Sequence, residues 1–447
     1  MTNSKTEYNE FIRANLPQGI TYNTDTNRYV VNEKPWVTFN QSEWYLEYIS
    51  KFGFSASTPT QDLLNALLVD ATQLIAHPLE YGSMFQDRAG TTPVTEPGQL
   101  VGMVLDHGFT GSKPVPTGPE LVTNGGFDTD TAGWSITGDA ATTLTWDSGA
   151  MVVNAPTAFD GATQTVNVNN QTSYELSADV VLNSGSVIFS ARTPGNTDTV
   201  SFNFTQTGSG KFVFTTKGTS LILSAISGAS AANFSIDNIS VRELPGYHAT
   251  AISDAARGVF REVDGIRYIE YNGVNTAYST PALPAPGVDK AQVFAGVRKL
   301  SDAARGVVLE LSPSIATNNG AFALFAPNSA GADFAFESKG TTLQSAIASG
   351  IASPATRVMT GLGDISGDTS TLRLNGVQAA QNIGDQGTGN YNPAGTYTLY
   401  SGGRAGTSLF FNGRSYATLG PISRFSEANA TAAQIEAAEA YYTARVI

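Results

Sequence analysis

The sequence predicts a mainly-β protein of two antiparallel β-sandwiches preceded by a small mixed α/β segment, and three observations carry that expectation. Charged residues make up only 14% and Gly contributes 45 of 447 residues, while Thr, Ser, Asn, Val and Phe are plentiful, a balance that suits strands and turns rather than helices. Period-two alternation recurs, as in Ser173-Tyr174-Glu175-Leu176-Ser177-Ala178-Asp179-Val180, the pattern of strands with one face in a core. Asn-Gly pairs such as Asn375-Gly376 stand between apolar runs, where a tight hairpin needs positive φ. The length allows about three domains.

Residues 1–78 read as a separate N-terminal segment. Glu7–Asn15 has the pattern of a short helix, and Lys34–Ile49 carries Trp36, Phe39, Trp44 and Tyr45, which need burying. A second helix opens at Thr58-Pro59-Thr60-Gln61, with Thr58 as cap, Pro59 at the first helical position and Gln61 completing a capping box. Leu63, Leu64, Leu67, Leu68, Ala71, Leu74 and Ile75 follow as one stripe that Pro78 ends. Such a piece is either an anchor onto a larger particle or a helical cap on the sandwich behind it.

Residues 79–118 read as the first part of a sandwich, 119–244 as an inserted module, and 245–447 as the remainder of the first sandwich with a C-terminal helix. Inside the insert, Ser201–Phe204 alternates, and Gly208-Ser209-Gly210 is expected to turn the chain before Phe212 and Phe214. After it, Tyr268–Gly273 reads as strand then turn. Thr371–Val377 is a hairpin around Asn375-Gly376, and a second turn is expected at Asn412-Gly413 with Ser415–Leu419 as its partner strand. Thr431 and Gln434 have capping-box spacing at the head of a last helix whose Ile435, Ala438 and Tyr442 share a face. The heptapeptide SDAARGV occurs at Ser253 and again at Ser301.

Several chemistries find no support. There is no cysteine, hence no disulfide and no thiolate site. The three histidines, His77, His107 and His248, are isolated in the sequence, and neither HExxH nor GxSxG occurs. The GSGK at Gly208–Lys211 lacks the first glycine and the Ser/Thr of a phosphate loop. A net charge of −13 without a basic run argues against nucleic acid as a partner. No apolar run is long enough for a membrane span, and the first residues lack the apolar core of a signal peptide, so the expectation is a protein made and kept in a cytosol without membrane insertion.

Two phrases, Met84–Asp106 (MFQDRAGTTPVTEPGQLVGMVLD) and Gly246–Gly273 (GYHATAISDAARGVFREVDGIRYIEYNG), together resemble a group of bacteriophage virion proteins with a laminin-G-like, concanavalin A-like sandwich, in which the two lie close together. Here the insert separates them. Its ends, ELVTNGGFDTDTAGW and FSIDNISVREL, resemble those of galactose-binding-like jelly rolls of the carbohydrate-binding-module type. The resemblance implies a non-enzymatic virion structural protein, a fibre, decoration or other appendage subunit assembled in the host cytoplasm. Its implied partners are capsid, portal or tail proteins through the N-terminal segment, further copies of itself as a homotrimer, and bacterial surface glycan. The alternatives are a glycan-binding lectin or adhesin and a polysaccharide depolymerase.

For sugar contact, Trp146, Phe159 and Tyr174 are the candidates, because a flat ring stacks on the apolar face of a pyranose. Trp134 reads as core, and a core position competes for Trp146 as well. No catalytic residue is expected. The only cofactor the resemblance implies is a structural calcium in the insert, held by Asp128 and Asp237 with Asn124 nearby, since calcium takes hard oxygen ligands. The competing reading of Asp237-Asn238 is a plain turn or strand-end pair.

Overall fold

The computed structural model describes residues 20–23, 28–31, 34–35, 58–194 and 199–446 and divides into two units, Met1–Thr58 and Pro59–Ile447. In the first, Ile20–Asn23, Arg28–Val31 and Lys34–Pro35 form an antiparallel three-stranded sheet. The expected helix at Glu7–Asn15 and the aromatics Trp36, Phe39, Trp44 and Tyr45 lie outside the described residues.

The second unit contains two β-sandwiches, one inserted in the other. The larger packs a nine-stranded sheet on a ten-stranded one, with every strand pairing antiparallel. The spine of the ten-stranded sheet is Lys290–Lys299. One edge of it pairs with Ala355–Asp364, and the other carries two short strands end to end, Ile422–Ser426 on its first half and Asn412–Tyr416 on its second. Phe260, Ile269, Tyr271, Tyr278, Phe322, Phe336, Tyr391 and Phe425 are among the rings and branched chains that fill the space between the sheets.

Strands from before and after the insert are neighbours. Met103–Val104 pairs with Ala249–Ala251, and Leu100–Val101 pairs with Gly258–Val263. At this junction the buried Asp106 carboxylate accepts the backbone N–H groups of Ala76 and Gly108 at 2.9 Å each through Oδ1, and that of Tyr247 at 2.9 Å through Oδ2. Three segments far apart in sequence are tied to one side chain. Gly246 sits at φ +124°, and a Cβ there would lie 3.1 Å from both Asp106 Cβ and His248 Cε1, so only glycine fits the return point.

The segment Pro59–Ile75, grouped by the sequence with residues 1–78, is built into this sandwich. Helix α1 (Pro59–Leu68) packs Leu63, Leu64 and Leu67 against Ala438, Tyr441 and Tyr442 of helix α2 (Ala432–Thr443). The apolar stripe does not run on as helix. Asp70 turns the chain at φ 57°, and Ala71–Ile75 continues as a strand on Ile422–Ser426, burying Leu74 and Ile75. Arg424, 1% exposed, reaches from that strand pair to the carbonyls of Leu67 and Val69 at the end of α1, both at 2.9 Å, and to Gln292 Oε1 at 2.6 Å. A cation there complements the negative end of the helix. Helix α2 has its capping box, Thr431 with Gln434, and Ala438 and Tyr442 lie buried on the expected face, with Ile435 half-buried beside them.

The insert is a sandwich of two five-stranded sheets. The first runs Gly208–Thr215, Ser173–Ser184, Ala232–Glu243, Ala150–Ala155, Thr143–Asp147; the second runs Thr199–Phe204, Val187–Arg192, Ser220–Ser227, Gly161–Asn167, Ser135–Thr137. Phe127, Trp134, Met151, Phe189, Phe212 and Phe234 lie in its core. It rests on the larger sandwich through a small apolar contact of Val213 and Leu244 with Met103 and Leu105, and Val213 N–H donates to Ala89 O at 3.1 Å.

Two turn expectations fail for steric reasons. Gly208–Gly210 is the start of a strand, in register with Val180, Asp179 and Ala178, because a Cβ on Gly210 would meet the Phe202 and Phe204 rings at 2.8–3.0 Å. Asn412-Gly413 is likewise inside a strand, Asn412–Tyr416; a Cβ on Gly413 would lie 2.3 Å from Arg298 O. Both glycines serve close packing rather than positive φ. Asn375-Gly376 does turn, at φ 51° and 82°. The two SDAARGV copies lead into the strands Gly258–Val263 and Val307–Leu311. In each the arginine braces a neighbour, Arg257 on Gln86 O and Arg305 on Glu337.

Thr117 N–H donates to Glu243 O at 2.7 Å, so the insert's stems are adjacent. Deleting residues 119–243 and joining Gly118 to Leu244 through a short Gly/Ser linker is expected to leave a sandwich that melts cooperatively and retains near-UV circular dichroism. Replacing Arg424 by Met is expected to cost about 3 kcal/mol in denaturant titration, because two helix-end carbonyls and Gln292 lose a buried donor.

Candidate functional site

In Ser173–Ser184 the alternation turns Tyr174, Leu176, Ala178 and Val180 inward and Glu175, Ser177 and Asp179 outward. Tyr174 is the first inward residue, so its ring closes the end of the insert's core while its hydroxyl reaches the rim. The ring lies 6.2 Å from that of Phe214. The hydroxyl accepts the Asn169 N–H at 2.9 Å, which leaves its own O–H to donate outward. Burial, with the Glu243 carboxylate nearby, raises the phenol above its ordinary pKa, so it stays protonated at neutral pH.

Around that hydroxyl lies a cleft of about 230 Å³ lined by Pro119, Leu121, Asn167, Val168, Asn169, Tyr174 and Glu243. Asn167 and Glu243 are the last residues of strands Gly161–Asn167 and Ala232–Glu243, and Glu243 stands directly across from Tyr174 in the ladder. The incoming chain supplies Pro119 and Leu121, with Leu121 N–H on Val241 O at 3.2 Å. The lining of the cleft thus combines apolar Pro119, Leu121 and Val168 with two asparagines, a glutamate and a tyrosine.

A second groove of about 210 Å³ crosses the outer face of the first sheet, lined by Ser177, Ala178, Asp179, Ser209, Gly210, Lys211 and Asn238. Its polar groups largely engage one another: Asn238 Nδ2 donates to Asp179 Oδ2 at 2.8 Å, and Lys211 pairs with Glu175 at 3.2 Å. It has no apolar floor beyond Ala178.

The other two aromatic candidates do not join Tyr174. Trp146 is 45% exposed on the edge strand Thr143–Asp147, opposite the core residue Met151, and its indole N–H donates to Phe127 O at 2.6 Å. It pins the loop beneath it. Phe159, 57% exposed at φ 63°, sits in the connection between the two sheets. Neither lines the cleft, and Tyr174 lines it by its hydroxyl rather than by the open ring face that stacking requires. Nothing in residue order singles out Asn167, Asn169 and Glu243, which come together only where strand ends meet.

The residues expected to hold calcium already make hydrogen bonds within their loop. Asn124, at φ 52°, turns its amide Nδ2 onto Asp130 O, Asp130 Oδ1 and Ala132 O at 2.9, 3.0 and 3.2 Å. Asp237 Oδ1 accepts the neighbouring Asn238 N–H at 2.6 Å, and the pair lies inside strand Ala232–Glu243 at a bulge, with Asn238 at φ 51°, rather than at a strand end. Among the described residues no three His, Cys, Asp or Glu side chains converge as a metal site would need. The Asn124 amide gathers these loop oxygens.

Glu310 and Glu337 stand in one row across three strands, each in register with Ala323 between them, but Arg404 pairs with Glu310 at 2.9 Å and Arg305 with Glu337 at 2.8 Å. Glu310 is fully buried and its carboxyl raised by that burial. A hydrolytic pair flanks an open sugar cleft; this row is closed.

No family model matches the chain, and no curated relative matches it. Solved structures that resemble it include the CBM40 module of the Ruminococcus gnavus IT-sialidase, at 13% identity and TM-score 0.27, covering 35% of this chain and 84% of that one. A structure described as CBM4 matches at 14% and 0.23, covering 27% and 98%. The CBM22-1–CBM22-2 tandem domain of Paenibacillus barcinonensis Xyn10C matches at 11% and 0.26, covering 70% and 99%. Likenesses this remote establish neither the chain's ancestry nor its ligand.

Replacing Asn124 by Ala is expected to lower stability by about 0.5–1.5 kcal/mol by removing the donor that ties Asp130 and Ala132 together. Adding EDTA or millimolar calcium to the parent protein is expected to leave the melting temperature unchanged, which a thermal shift measurement checks.

Proposed function

We propose that this chain is a non-catalytic glycan-binding protein whose inserted sandwich holds the sugar. One observation carries the reading: the cleft at Tyr174 joins apolar side chains to hydroxyl, carboxamide and carboxylate groups. A pyranose has one C–H face and a girdle of hydroxyls, and this lining complements both. At about 230 Å³ the cleft is below the roughly 300–1,000 Å³ of drug-sized sites. The ligand is therefore one ring or a chain end rather than a long stretch of polymer. Glu243 and the Asn167 and Asn169 side chains accept and donate to sugar hydroxyls, and Tyr174 donates its remaining proton.

A second reading concerns where the protein works. The phrases Met84–Asp106 and Gly246–Gly273, which resemble those of phage virion proteins, meet on adjacent strands around Asp106. That neighbourhood supports a virion appendage subunit that displays the insert, with homotrimeric assembly, virion partners and cytoplasmic assembly as parts of the same reading. Mass spectrometry and cryo-EM of particles from a lysate test it; absence of the chain from particles removes the virion role and leaves glycan binding standing.

A glycan array followed by isothermal titration is expected to find a saccharide retained by the parent protein. Replacing Glu243 by Gln or Asn169 by Ala should weaken retention about tenfold, as loss of one sugar-facing hydrogen bond predicts, whereas Trp146→Ala should leave it near the parent value. Retention unaffected by Glu243→Gln and Asn169→Ala alike would place the sugar elsewhere. Polysaccharide of unchanged size after incubation is expected from a binder.

A further inference from the structure

The histidines that stand apart in the sequence are gathered by the fold around Asp106, where the insert leaves and rejoins the larger sandwich. His77, His107 and His248 are 4%, 3% and 1% exposed. Asp106 N–H donates to His248 Nδ1 at 3.0 Å, which fixes that ring as the neutral tautomer with its proton on Nε2. That Nε2 is buried without a partner in hydrogen-bonding geometry. His77 Nε2 lies 2.8 Å from Tyr247 O and must donate to it; His107 Nε2 lies 2.9 Å from Ser83 Oγ.

Few groups oppose the neutral state. The Asp106 carboxylate faces His77 and favours its charged form, but is already held by three backbone N–H groups. Lys113 faces His107, and His77 and His107 face His248; all three disfavour a further positive charge. Leu244 O partly favours a charged His248. The Tyr247 phenol, close to Gln73 and Asp106, is raised by burial and stays neutral.

We propose that this junction is an acid-sensitive latch: protonating His248 turns its Nδ1 from acceptor into donor against the Asp106 N–H, parts residues 105–107 from 246–249, and frees the insert from the larger sandwich. The described contact between the two sandwiches is small: Val213 and Leu244 lie on Met103, Leu105 and Phe85, Gly90 lies against Val213, and Val213 N–H donates to Ala89 O.

The sign follows from proton counting. Burial first, then the neighbouring positive groups, lower His107 to about 4 and His248 to about 3; burial lowers His77 too, against the Asp106 carboxylate and the Tyr247 carbonyl, which raise it. An open junction would restore the ordinary value of 6.5. The closed form binds fewer protons, so the latch is at full strength above pH 6.5 and weakens as pH falls. Each ring favours the open form about tenfold more per pH unit below 6.5, or about thirtyfold at pH 5, and His107 and His248 together about a thousandfold.

Hydrogen–deuterium exchange of the full chain at pH 7.5 and pH 5.0, corrected for intrinsic rates, tests this. Peptides covering 103–108 and 244–251 should lose protection by tenfold or more at pH 5.0, while 291–297 in the central strand keeps its own. In His248→Asn the side-chain oxygen can stand near the Nδ1 position and accept the Asp106 N–H without titrating; its junction should lose about thirtyfold less protection than the parent's. Equal junction protection at both pH values, equal loss in 291–297, or an undiminished loss in the variant would each overturn the latch. Should the variant fail to fold, an NMR titration of the parent decides. A His248 ring that titrates near 6.5 in the closed protein refutes the proposal, and one that titrates only as the junction opens supports it.

Discussion

Everything in the larger sandwich depends on one carboxylate. Asp106 collects N–H groups from the segment after strand Ala71–Ile75, from the outgoing limb of the insert and from the returning limb. Each of those N–H groups faces inward where no sheet partner is available, and an unpaired buried donor costs about as much as a lost hydrogen bond. A single buried acceptor with two oxygens satisfies all three. The sandwich therefore tolerates a whole module between two adjacent strands because its seam is closed by a side chain rather than by chain continuity.

Around that seam the insert keeps its own core and shares little with its host. Its inward residues follow alternation except where bulges shift it, and its cleft of mixed lining lies where its strands end and its stems meet. The position of the cleft beside the stems has a mechanical meaning: its lining residues Glu243 and Pro119 are within two residues of Thr117 and Leu244, which connect to the host. Under the proposed function, ligand and stem would share the same short stretch of backbone.

Much of the fold could be read from residue order because alternation and capping are local. Ser173–Val180, Asn375-Gly376 and the Thr431–Gln434 box all fold as their patterns require. Where the reading failed, the cause was a contact the sequence does not display. The stripe after Leu68 keeps helical spacing, yet tertiary pairing with Ile422–Ser426 makes it a strand. Gly210 and Gly413 look like turn glycines but are small because rings and a carbonyl crowd them. The site was less legible than the fold. Tyr174 lies at the cleft, but for its hydroxyl, while Asn167, Asn169 and Glu243 meet only through registers between distant strands. The histidines are apart by position and together in space for the same reason.

The pairing of Ala71–Ile75 with Ile422–Ser426 also sets an order of events during synthesis. Every strand of the insert lies within one contiguous stretch, so that module can close as soon as it has left the ribosome. The host must hold its first strand and first helix unpartnered until almost the last residues emerge, since α1 needs both Arg424 and α2. A domain born in the middle of the chain is thus finished before the domain that surrounds it, and it stands as a folded spacer between the two halves of its host while they wait to meet.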